Sequence, residues 1–69
     1  MTLISVNGEQ REAPAPLSVA TIVAELVADP SARGVAVALN GEVLPRAAWE
    51  STSLGDGDRV EVLTATQGG

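Results

Sequence analysis

The sequence predicts an α+β fold: a mixed sheet of four to five strands with one helix packed on one face. Three observations carry that expectation. Two Asn-Gly pairs, Asn7-Gly8 and Asn40-Gly41, each follow a short alternating run and read as hairpin turns. Between them, Val19, Ile22, Val23, Leu26 and Val27 recur at helical spacing. A last alternating run follows Asp56-Gly57-Asp58, close to the end of the sequence.

The elements follow in order. Thr2 to Val6 alternates and predicts the first strand; Glu9 to Ala13 is its hairpin partner. Pro14 and Pro16 end that partner, since neither can donate to a ladder. Ser18 is placed to cap a helix, with Leu17 and Ile22 at the spacing of a hydrophobic staple. The helix is expected to stop near Ala28, because Pro30 pushes Asp29 out of the helical region. Ser31 to Gly34 form a turn. Val35, Val37 and Leu39 then face the core, while Ala36 and Ala38 leave a flat outer face. Glu42 to Leu44 is a short partner strand ended by Pro45, and a 3₁₀ turn is expected around Ala47 to Trp49. Asp56-Gly57-Asp58 makes a tight turn with Gly57 in the left-handed region. Val60 to Ala65 is the last strand, with Val60 and Val62 on one parity and Leu63 on the other. Placing the first and last strands side by side at the centre gives the β-grasp topology. Residues 1–65 are then the domain, and 66–69 a flexible Gly-Gly tail with nothing a core could use.

Composition narrows the function. The chain has 69 residues, so its core is single and thin, burying only ~60% of the unfolded surface. Trp49 is its only aromatic residue, and the net charge is -5. The four cations are Arg11, Arg33, Arg46 and Arg59, scattered along the chain. Nucleic-acid binding needs a basic stripe and stacking aromatics, and a membrane surface needs a polybasic cluster; neither is here. Met1 to Val6 lacks the basic flank of a signal peptide, so the expected location is cytoplasmic. Without cysteine or histidine there is no thiol nucleophile, no imidazole base and no zinc set. Asp56 and Asp58 flank a glycine, but the plain reading is a turn whose carboxylates accept backbone N–H bonds. No metal, cofactor or catalytic residue of the chain's own is expected.

What remains is Gly68-Gly69 after a two-residue spacer, Thr66-Gln67. Four extended residues reach at most ~14 Å, enough to enter a partner's active site while the domain stays outside. Two glycines present no side chain to a narrow channel. A carboxylate is a poor electrophile until activated, and adenylation by ATP is the usual remedy. Having no groups for that step, the chain is expected to be the substrate. Leu63, beside Ala36 and Ala38 on the outer face, is the expected docking surface. Trp49, Pro45 and Arg46 read first as structural: a plug for the core's edge, a strand stop and a paired cation.

The segment Ala38-Leu39-Asn40-Gly41-Glu42-Val43-Leu44-Pro45-Arg46-Ala47-Ala48-Trp49, with Leu54, the turn after it and the terminal glycines, resembles the ThiS family. These are the ubiquitin-like sulfur carrier proteins of thiamine biosynthesis, and the resemblance covers nearly the whole chain. It implies that an adenylating enzyme, similar to ubiquitin-activating enzymes, joins AMP to the Gly69 carboxylate. Sulfur, often from a cysteine desulfurase, then makes a thiocarboxylate that thiazole synthase consumes. A carrier for molybdopterin or another metabolite, a ubiquitin-like protein modifier, and a passive β-grasp interaction module are the alternatives.

Overall fold

Residues 1–29 and 34–64 are described by the structure, a computed structural model. Both Asn-Gly pairs form the expected turns. Their φ angles are positive at both central positions, 50° and 86° at Asn7-Gly8 and 51° and 88° at Asn40-Gly41. That geometry matches the right-handed twist of the strands it joins. The first turn closes β1 (Thr2–Val6) onto β2 (Glu9–Ala13), and the second closes β3 (Val35–Leu39) onto β4 (Glu42–Leu44), both antiparallel. The last strand, β5 (Arg59–Thr64), lies between the hairpins, parallel to β1 and antiparallel to β3. The sheet order is β2-β1-β5-β3-β4, with one helix, α1 (Val19–Leu26), on one face. This is the β-grasp arrangement.

The start of α1 is fully accounted for. Ser18 caps it, accepting from the Thr21 N–H through its hydroxyl at 3.2 Å. The Val19 and Ala20 N–H groups donate to the carbonyls of Thr52 and Trp49, at 3.0 and 3.1 Å. The crossover between β4 and β5 thus supplies acceptors that the first helical turn cannot find within itself. Leu54 N–H donates in turn to the Leu17 carbonyl at 2.7 Å, tying the crossover to the helix entry.

Ile4 and Val6 of β1, Val37 of β3 and Val60 and Val62 of β5 meet Val19, Ile22 and Val23 of α1 to form the core. Leu17, Leu54 and Trp49 close its edges. Trp49 is 5% exposed, and its indole N–H donates to the Leu44 carbonyl on edge strand β4 at 3.0 Å. The Arg46 guanidinium lies over the ring, 4.7 Å from its centre. Arg11 of β2 reaches over to pair with Glu25 of α1.

Some details differ from the sequence reading. The helix ends at Leu26 rather than near Ala28, and Leu26 is 44% exposed, not core. Val27 has already turned extended (φ −122°, ψ 128°) and packs against the core in its place. The 3₁₀ turn spans Arg46–Ala48, and β5 begins at Arg59, each one residue earlier than expected. Residues 31–33 of the predicted turn, Ala65 of the predicted last strand and the tail from 66 to 69 lie outside the described residues.

Candidate functional site

Alternation along the strands sorts side chains onto two faces. On β5, Val60 and Val62 point to the helix, so Arg59, Glu61 and Leu63 point away from it. On β3, Val37 points in and Ala36 and Ala38 point out. Register brings Ala36 opposite Leu63 and Ala38 opposite both Glu61 and Val43. The outer face of β5-β3-β4 is thus an apolar strip of Leu63, Ala36, Ala38 and Val43. Leu63 is 66% exposed and Val43 81%. The predicted docking trio is adjacent as expected. Val43, which the sequence reading missed, extends it; Leu44 packs against the core, so its neighbour must face outward.

β5 carries this strip toward the C-terminal segment. Its last described residue, Thr64, is in register with Val35 on this central strand. Each hairpin turn bonds β5, Asn40 at its first residue and Asn7 in its middle. Asn40 accepts from the Arg59 N–H through Oδ1 at 2.8 Å, and its own N–H donates to the Arg59 carbonyl at 2.8 Å. Asn7 accepts from the Val62 N–H through Oδ1 at 2.8 Å, and its Nδ2 donates to the Val62 carbonyl at 3.3 Å. The sequence reading assigned these asparagines to turns and missed the grip. Thr66, Gln67, Gly68 and Gly69 lie outside the described residues.

Asp56 and Asp58 behave as turn residues. Asp56 Oδ1 accepts from the Leu3 N–H at 2.7 Å, and Asp58 Oδ2 accepts from the Gly55 N–H at 2.8 Å. Asp58 Oδ1 also takes a bond from Asn40 Nδ2 at 3.1 Å. Gly57, at φ 88°, occupies the left-handed region as expected. Among the described residues no cluster of three acidic side chains is placed to hold a metal. An open groove of about 560 Å³ crosses the start of β1, lined by Met1, Leu3, Ser5, Gln10, Asp56 and Arg59 among others. It brings together no paired acid and base. Among the described residues no helix is long and apolar enough to cross a membrane.

The model of the ThiS family matches residues 4–69. The chain belongs to the ThiS family. A crystal structure of the thiamine biosynthesis protein ThiS from Geobacter metallireducens is 38% identical, with a TM-score of 0.73 over 97% of this chain and 99% of that one. A solution structure of a thiamine biosynthesis protein from the same organism gives 37% and 0.74, over 100% of this chain and 88% of that one. The chain is 34% identical over 64 residues to a thiazole synthase of Paramagnetospirillum magneticum, covering 93% of itself and 19% of that longer protein. It is 38% identical over 66 residues to the uncharacterized protein ycf40 of Pyropia yezoensis, covering 96% of itself and 90% of that protein. Membership of the ThiS family, with these thiamine-biosynthesis neighbours, supports a sulfur carrier role in thiamine synthesis.

Proposed function

We propose that the chain carries sulfur as a thiocarboxylate on Gly69 and delivers it for the thiazole ring of thiamine. A partner adenylating enzyme directs the Gly69 carboxylate oxygen at the α-phosphorus of ATP; pyrophosphate leaves and an acyl-adenylate forms. The outer sulfur of a donor persulfide, such as a cysteine desulfurase carries, attacks the acyl carbon and displaces AMP; a second thiol on the partner side then cleaves the acyl disulfide, leaving the thiocarboxylate and a partner disulfide. Thiazole synthase is the consumer of the product. Residues 1–65 serve as the rigid handle and 66–69 as the reactive tail, and the chain contributes no catalytic group. Leu63, Ala36, Ala38 and Val43 form the docking strip, contiguous with the strand that leads to the tail. Five residues beyond Thr64 span at most ~18 Å, which suits a domain docked at the mouth of an active site.

The observation that carries this reading is the family match, which runs through Gly68 and Gly69. Intact mass after incubation with the adenylating enzyme, ATP and a sulfur source tests it. Exchange of one oxygen for sulfur is the expected result. Since the chain has no cysteine, an alkylating probe should then label only the thiocarboxylate terminus. Transfer onward to thiazole synthase separates thiamine from molybdopterin or another metabolite. Attachment to a target protein would make the chain a modifier, and no change under competent conditions would make it a passive module.

A further inference from the structure

Parallel pairing of β1 with β5 is brief. It covers Ser5 with Arg59 and Val6 with Val60, and β1 then turns away at Asn7-Gly8. Val62 sits where the β1 main chain would have continued. The Asn7 side chain stands in for that missing main chain: its amide both accepts from the Val62 N–H and donates to the Val62 carbonyl. Its own backbone N–H donates to the Val60 carbonyl at 2.9 Å. One residue thus bonds two alternate residues of β5, Val60 and Val62, the second of them two residues before Thr64.

We propose that Asn7 is a positioning residue for activation of Gly69, a role that rests on the carrier reading. Past Val62, β5 is paired on its β3 side alone, Leu63 with Ala36 and Thr64 with Val35. Without the amide, Val62 loses its bonds on the β1 side, and the end of β5 is held and aimed by β3 alone. The cost is one of direction, since misplacing reacting atoms by about an ångström can cost ~10²-fold. Docking is spared, because Leu63 stays in register with Ala36.

The molecule supplies its own control. Asn40 bonds β5 at Arg59, its first residue, accepting from the Arg59 N–H through its side chain and donating to the Arg59 carbonyl through its backbone N–H. Asn7→Gly and Asn40→Gly both keep a residue at ease with positive φ and remove only the amide. In pyrophosphate exchange catalysed by the adenylating enzyme, Asn7→Gly should lower kcat about three- to tenfold with KM within about twofold. Asn40→Gly should leave both unchanged. A wild-type kcat for Asn7→Gly overturns the proposal, and so does an equal fall in Asn40→Gly, which would mark lost stability as the cause. If Asn7→Gly does not fold, Asn7→Asp takes its place: it keeps an acceptor for the Val62 N–H, sets an oxygen against the Val62 carbonyl where the donor was, and should show a fall of the same kind. An unchanged kcat there also overturns the role. Failure of the wild-type chain to be adenylated at all would sink the carrier reading, and the positioning role with it.

Discussion

Ile22 and Leu26 lie on one stripe of α1, yet their truncation should have unequal consequences. Ile22 is 1% exposed and packed against the sheet, whereas Leu26 is 44% exposed at the last helical residue. Ile22→Ala removes three buried carbons, worth about 0.8 kcal/mol each by transfer, and leaves a cavity that can raise the total to about 2–5 kcal/mol. Leu26→Ala removes a similar group that is little more than half buried and leaves no enclosed void. Alanine's higher helix propensity offsets part of that loss, so the net cost should be about 1 kcal/mol or less. A domain this size has roughly 3–10 kcal/mol of stability, so the first change threatens the fold and the second does not. Trp49 is the single tryptophan and is buried, so its fluorescence in a urea titration reports the transition. With a slope near 1 kcal/mol per molar, the midpoint should drop by about 2 M or more for Ile22→Ala and by less than about 1 M for Leu26→Ala. Equal drops would refute the placement of the core beneath the first two turns of α1.

Other changes test the face, the tail and the turns. Leu63→Asp should raise the dissociation constant for the adenylating enzyme at least about tenfold by titration while leaving the urea midpoint unchanged, as its side chain is mostly in water. Gly68→Val should abolish pyrophosphate exchange without altering the fluorescence transition, because a branched side chain enters a channel that suits glycine. Gly57→Ala should cost roughly 1–2 kcal/mol in the same titration from backbone strain alone, as space around the added carbon is open but φ is 88°. Trp49→Phe keeps a ring at the core's edge but loses the bond to the Leu44 carbonyl, and should cost at least roughly 0.5–1.5 kcal/mol.

Much of the fold was legible because its signals are local. Asn7-Gly8 and Asn40-Gly41 announce positive φ by residue type, Ser18 announces a cap, and the alternation of β5 puts Leu63 outside. What escaped is set by distant partners. Helical spacing includes Leu26 in the stripe but cannot see that the chain turns extended at Val27 and fills the space with that side chain. A three-residue strand, Glu42–Leu44, is too short to show which parity is buried, so Val43 became visible only through its register with Ala38. The asparagine grips escaped for the same reason: Asn7 and Val62 are 55 residues apart, and turn chemistry says nothing about where a side-chain amide will be used. Within the candidate site, the outward placement of Leu63, Ala36 and Ala38 was readable by parity, whereas Val43 and the asparagine bonds to β5 were not.

Threading β5 between the hairpins has a mechanical consequence. The β1–β2 and β3–β4 hairpins share no pairing with each other; β5 alone joins them. An isolated two-stranded hairpin is marginal in water, so neither half can persist once β5 leaves. Amides in both halves should therefore exchange with solvent through one opening event of similar free energy rather than two. Force applied through the C-terminal segment would act along a strand flanked on both sides. Rows of hydrogen bonds to β1 and β3 would be loaded in shear together, instead of parting one at a time as at a sheet edge. A partner drawing the tail into a channel would thus be pulling on a central strand that joins both hairpins, and the domain would follow as a rigid body.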